Sequence, residues 1–150
     1  MEQATTLSTS FAGSGVAPAE RGRLDATLVK LGDLFALLQA GCDDADPATL
    51  LAQWRVDLEL HFALEEADSN FGALLRERPS LAHVIAELRS EHSELLDEVD
   101  RVRPLANARA RWPELASKTR ELIERFRAHE HKETELLQES VLRDDGVGAD

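Results

Sequence analysis

The stretch Ile85-Ala86-Glu87-Leu88-Arg89-Ser90-Glu91-His92-Ser93-Glu94-Leu95-Leu96-Asp97-Glu98-Val99 decides the fold. Ile85, Leu88, position 92, Leu95 and Val99 repeat at alternating spacings of three and four, the signature of one buried helical stripe. His92 stands where that stripe calls for another apolar residue. A helix that buries its seam needs partners, and a histidine in the seam needs something polar waiting on those partners.

Working outward, three more segments carry the same kind of stripe. The first runs from about Ala19 to Ala40 with Leu24, Leu28, Leu31, Phe35 and Leu38, and Gly41-Cys42-Asp43-Asp44 ends it. Asp46-Pro47 supplies an N-cap followed by proline at the first helical position. It opens a second helix with Leu51, Trp54, Leu58, His61 and Glu65 in its seam, continuing irregularly past Asp68-Ser69-Asn70 to about Arg78. Pro79-Ser80 precedes the third helix, which Pro104 ends or kinks. Trp112-Pro113-Glu114 opens the fourth, whose seam is Leu115, Thr119, Leu122, Phe126, His129, Glu133 and Leu136.

Narrow stripes joined by short connections predict an all-α fold, an antiparallel up-down-up-down four-helix bundle over residues 19–141. A helical hairpin dimer or extended coiled coil is the alternative, disfavoured by the prolines and turns that interrupt the heptads. Residues 1–18, rich in Ser, Thr, Gly and Ala without apolar period, read as a disordered tail, as do residues 142–150.

Composition narrows the function classes. A net charge of -12 disfavours nucleic acid and anionic membrane as partners, since both would repel the chain. No apolar run approaches the roughly 20 residues that a spanning helix needs. The acidic opening Met1-Glu2-Gln3 is unlike a secretory leader, so a cytoplasmic location is expected. A single cysteine, Cys42, offers neither an internal disulfide nor a zinc-thiolate cluster, and reads as a half-buried structural thiol.

The polar seam positions are the functional signal. His61 lies 14 residues beyond Pro47, and His92 lies 12 residues beyond Ser80. Counting 12 back from Arg78 gives Glu66, beside Glu65. His129 lies 16 residues beyond Pro113, and the same count back from about Asn107 gives Glu91, beside His92. At about 1.5 Å of rise per residue these positions share one height. One layer is therefore expected to hold His61, Glu65, His92, His129 and Glu133.

His61/Glu65 and His129/Glu133 are i,i+4 pairs, so each presents a nitrogen and a carboxylate from adjacent turns of one face. A lone pair of this kind is usually a surface ion pair, and a lone seam histidine is usually a hydrogen-bonded core residue. Two pairs and a third histidine at one height point instead to a metal site suited to iron, manganese or zinc. Leu58, Leu88, Leu95, Phe126 and Leu136 would wall it from water. His83 and His131 fall off the seams and are expected in solvent, while Glu66, Glu130 and Glu135 are expected at the surface or just outside the ligands.

This pattern resembles the hemerythrin-like family of HHE cation-binding domains. The resemblance rests on His61-Phe62-Ala63-Leu64-Glu65-Glu66, on Glu91-His92 with Leu95, and on His129-Glu130 with Glu133 and Leu136-Leu137, across roughly residues 20–141. It implies a bundle enclosing a non-haem di-iron centre, His61 binding one iron, His92 and His129 the other, and Glu65 and Glu133 bridging. The chain departs from the family in its first helix, where Leu28 occupies the place of an expected histidine. Its third helix offers one histidine where oxygen-carrying members have two.

One or two iron ions, with manganese or zinc as substitutes, are the cofactors so implied, and O2 or another small exogenous ligand is the implied partner. The expected role is a metal-binding bundle that responds to oxygen, redox state or iron. The alternatives are a degenerate metal-free bundle used as a protein-interaction module, and a small oxidase or peroxidase-like enzyme.

Overall fold

A computed structural model describes the backbone of residues 18–41 and 46–147, and the side chains within it other than those of 18–24, 27 and 140–147. The Cys42 thiol and the two proposed tails before Pro18 and after Val147 lie outside these residues. Among the described residues there are five α-helices: α1 Pro18–Gln39, α2 Pro47–Glu66, α3 Phe71–Glu77, α4 Ala82–Val102 and α5 Trp112–Val147. Among the described residues there is no strand.

The four long helices form a ring in which α1 packs on α2 and α5, and α4 packs on α2 and α5. Cross-helix pairs fix the antiparallel directions. Arg55 forks onto Asp100 at 2.9 and 3.3 Å, whereas the later α2 residue Glu66 meets the earlier α4 residue His92. Likewise Glu98 meets Arg125 at 3.4 Å, while Glu91 meets His129 further along α5.

Local chemistry explains the boundaries. Asp46 accepts a hydrogen bond from Thr49 N at 3.2 Å and Pro47 follows it, so α2 starts where the cap and proline predict. Gly41 takes a positive φ of 74° and donates to Leu38 O, closing the end of α1. The second segment does not continue to Arg78. Ala67 is extended, Asn70 N donates to Ala67 O, and the Asn70 side-chain amide donates to Leu64 O, so the chain turns before α3. Asp, Ser and Asn compete for backbone partners in this way, which the apolar period alone does not reveal.

At the other end, α5 runs on to Val147, so residues 142–147 are helical where their composition reads as tail. Among the described side chains of α1, Leu28, Leu31, Leu34 and Leu38 are the buried residues, and Phe35 is half-buried under the Arg120 guanidinium rather than in the seam; the expected seam residue Leu24 lies outside the described side chains.

The core is divided in two. One apolar cluster holds Leu28, Leu31, Trp54, Leu58, Phe62, Leu95, Val99, Leu122 and Phe126. A smaller one holds Phe71, Ile85, Leu88 and Leu136. Between Leu58 and α3, between Leu88 and Leu95, and between Phe126 and Leu136 lies the polar layer.

Candidate metal centre

Three helices supply the layer. α2 brings His61 and Glu65, α4 brings His92, and α5 brings His129 and Glu133. His61, Glu65, His92 and His129 are all buried, and the Glu133 side chain is 12% exposed. All five residues expected at one height therefore meet there.

Glu65 stands at the centre of the contacts. Its Oε2 lies 3.1 Å from His61 Nε2, and its Oε1 lies 3.2 Å from His92 Nε2. The same His92 nitrogen is 3.4 Å from Glu133 Oε1, which also touches His129 Nε2. One donor atom from each of Glu65, His92, His129 and Glu133 falls within 4.8 Å of the others. His61 joins this group through Glu65 and is not one of the four.

The opposite ring nitrogens face outward onto two further carboxylates. His92 Nδ1 donates to Glu66 Oε2 at 2.6 Å, and His129 Nδ1 donates to Glu91 Oε1 at 2.7 Å. Lys132 Nζ holds the other oxygen of Glu91. The sequence pattern puts Glu66 at the surface or just outside the ligands, and it lies just outside them. Glu91 stands out in the sequence only as part of the Glu91-His92 motif, and Lys132 does not stand out at all. The readable signal was spacing: Lys132 is three residues after His129, on the same side of α5.

Aromatic rings complete the walls. Phe62 stacks on His92 with centroids 3.9 Å apart, and it meets His129 edge-on at 5.7 Å. Phe71, carried in by α3, lies nearly parallel to His92 at 6.0 Å, and Phe126 meets His61 at 6.4 Å. The apolar wall expected from Leu58, Leu88, Leu95, Phe126 and Leu136 is buried in full. A cleft of about 220 Å³ between α4 and α5, lined by Glu91, Glu94, Arg125 and Lys132, reaches down to His129.

Electrostatics follow from this packing. Burial opposes charge on His92, but the carboxylates of Glu133, Glu65 and Glu66 outweigh it and raise the imidazole to about 9. His129 is raised in the same sense, burial and the nearby His92 opposing Glu133 and Glu91. Burial would raise the Glu65 carboxyl, yet His61, His92 and Glu133 hold it well below the usual carboxylate range. Glu91 is also lowered, with Lys132 and His129 overcoming its partial burial.

The layer fits a cation. His129 Nε2, Glu65 Oε1 and His61 Nδ1 are buried side-chain atoms without an aligned hydrogen-bond partner. The first two belong to residues of the four-residue group, so two of its side chains keep an unsatisfied atom there although His92 Nε2 bonds Glu133 Oε1 at 3.4 Å. Two imidazoles and two carboxylates are a donor set for iron, manganese or zinc.

The remaining candidates separate as expected. His83 and His131 have side chains 85% and 74% exposed, and Glu135 pairs with His131 at 3.7 Å on the surface. Glu130 is half-buried outside the group. Leu28, by contrast, is buried in the core where a fourth histidine was expected.

A four-helix bundle with a buried histidine-carboxylate layer defines a class of cation-binding helical proteins. The family model of the hemerythrin HHE cation-binding domain matches residues 29–140, and the chain belongs to that family. No curated protein and no solved structure matches it.

Proposed function

We propose that this bundle is a non-haem iron protein that responds to oxygen, redox state or iron level. One ion is held by Glu65, His92, His129 and Glu133, and His61 offers a weaker place for a second. The observation that carries this reading is the convergence of those four donors within 4.8 Å, with His129 Nε2 and Glu65 Oε1 lacking aligned partners.

When bound, iron supplies one-electron chemistry and can take a small exogenous ligand such as O2; manganese or zinc would suit the same donors. The chain's own residues do the rest. His92 and His129 present neutral nitrogens once they release their protons, and Glu65 and Glu133 neutralise the cation. Phe62, Phe71 and Phe126 keep bulk water away. The cleft beside Lys132 gives a small solute a route to His129.

The asymmetry supports a responder over a reversible carrier. His61 has only Glu65 among the four donors as a polar contact, and Leu28, which stands in place of the family's first-helix histidine, is a buried apolar side chain that offers no further nitrogen. A labile second ion is a natural response element.

The test is metal per chain, measured on protein purified from iron-supplemented cells, together with its visible spectrum. About one equivalent, lost in His129→Ala, is the expected result. Less than a tenth of an equivalent in the wild type would leave the metal-free interaction module as the better reading, its layer held by the His-Glu contacts alone. Oxygen or peroxide consumption in steady state separates a responder, which has none, from an oxidase.

A further inference from the structure

The four inner donors leave two carboxylates unexplained. Glu66 and Glu91 come from different helices, α2 and α4, yet each takes the Nδ1–H of one inner histidine, at 2.6 and 2.7 Å. Each is partly open to water, with side chains 36% and 26% exposed. Neither belongs to the converging group. An imidazole can present either nitrogen to a metal, and a hydrogen bond at one nitrogen decides that the other is presented.

We infer that Glu66 and Glu91 are positioning residues for the centre: they accept the Nδ1 protons of His92 and His129, fix both ring tautomers, and aim both Nε2 atoms at the ion. This rests on the metal reading above. The two are held differently. Glu91 is clamped, one oxygen on His129 and the other on Lys132, so its carboxylate has little freedom to leave. Glu66 is the residue next to Glu65, so one turn of α2 supplies both a donor for the ion and the anchor of a partner histidine from α4. Lys132 acts one step further out, through Glu91.

The probe is cobalt(II) added to the apo chain, with affinity read by competition against a chelator. The second readout is the set of exchangeable, paramagnetically shifted imidazole N–H resonances. In the wild type His92 and His129 are each expected to give one such resonance that exchanges slowly with solvent. Glu66→Ala and Glu91→Ala are expected to weaken cobalt binding by about ten- to a hundredfold. Each should also speed exchange at its own histidine alone. Glu66→Gln and Glu91→Gln keep an acceptor oxygen and should recover most of the affinity and the slow resonance. Lys132→Ala should speed exchange at His129 and leave His92 unchanged.

Glu87→Ala removes a charge one turn before Glu91 and controls for general electrostatics; it should change neither readout. If an alanine variant fails to fold, the aspartate variant, one methylene too short to keep the contact, stands in for it. Equal losses in the Gln and Ala variants, or a loss in Glu87→Ala as large as in Glu91→Ala, would make the effect one of bulk charge and overturn the positioning roles. Unchanged affinity and exchange in both Ala variants would do the same while leaving the metal reading intact. A wild-type chain that takes up no cobalt would overturn the metal reading and these roles with it.

Discussion

His92 lies flat against Phe62, the two rings 3.9 Å apart at their centroids and within 8° of parallel. The His92 imidazole is thereby packed on an aromatic face while both its nitrogens meet carboxylates. Phe62 also touches His61, His129 and Phe126, so one side chain sets the spacing of all three buried histidines.

Phe62→Ala should therefore cost about 3–5 kcal/mol, the usual range for emptying a buried phenylalanine site. Phe62→Leu keeps most of the volume and loses the stack, for about 1 kcal/mol. Urea unfolding of the apo chain measures both. A leucine variant as unstable as the alanine one would mean that ring geometry, not filled space, holds the layer.

His129→Ala removes the imidazole between Glu91 and Glu133. Glu133 then stays half-buried without its nearest cation, and breaking a buried pair in this way costs about 3 kcal/mol. The same variant should bind less than a tenth of an equivalent of iron. His131→Ala, two residues on and 74% exposed, should change neither quantity. Comparing the two by unfolding and metal analysis tests whether the inner position or merely a histidine count matters.

The apo chain should lose stability as pH rises. His92 is raised from an ordinary 6.5 to about 9, so its contribution is fully present below about 6.5 and disappears as pH climbs through about 9. His129 shifts in the same direction. Glu65 shifts the other way, and its contribution is present above the ordinary carboxylate range and lost in acid. Thermal melts of apo protein between pH 6 and 10 should show a midpoint that falls towards the alkaline end. Metal-loaded protein should resist that fall, because an ion requires the neutral imidazoles that alkali produces. A flat apo profile would mean that the imidazoles are not charged in this layer.

The layer itself was legible in the sequence because a seam period and a count of residues from helix ends are enough to set height. His61, Glu65, His92, His129 and Glu133 needed nothing more. What stayed hidden depends on directions that periodicity does not carry. The partner of Glu66 shows only when α4 is placed beside it, and Glu91 gains meaning only when α5 brings His129 to its side. The turn at Ala67–Asn70 was hidden too, since it rests on local backbone hydrogen bonds and one from the Asn70 side-chain amide. Phe71 then enters the site from a helix that reads as the frayed end of α2. Leu34 and Phe35 exchanged places for a similar reason, adjacent apolar residues leaving the rotation of α1 open by one position.

Leu28 is the position where the sequence departs from the family pattern, and it is buried in the core on α1. An imidazole there could add a nitrogen towards His61, whose Nε2 already contacts Glu65 Oε2 at 3.1 Å. Leu28→His should raise metal content from about one equivalent towards two. The apo variant should be less stable than the wild type, since a buried polar ring without a partner costs about 1–3 kcal/mol. Adding metal should recover more stability in this variant than in the wild type, because binding to the folded state alone shifts unfolding by mass action. Metal analysis with paired apo and loaded melts makes the comparison. If stoichiometry stays at one while the loaded variant remains as unstable as the apo form, residue 28 does not face His61, and the second ion has no place beside it.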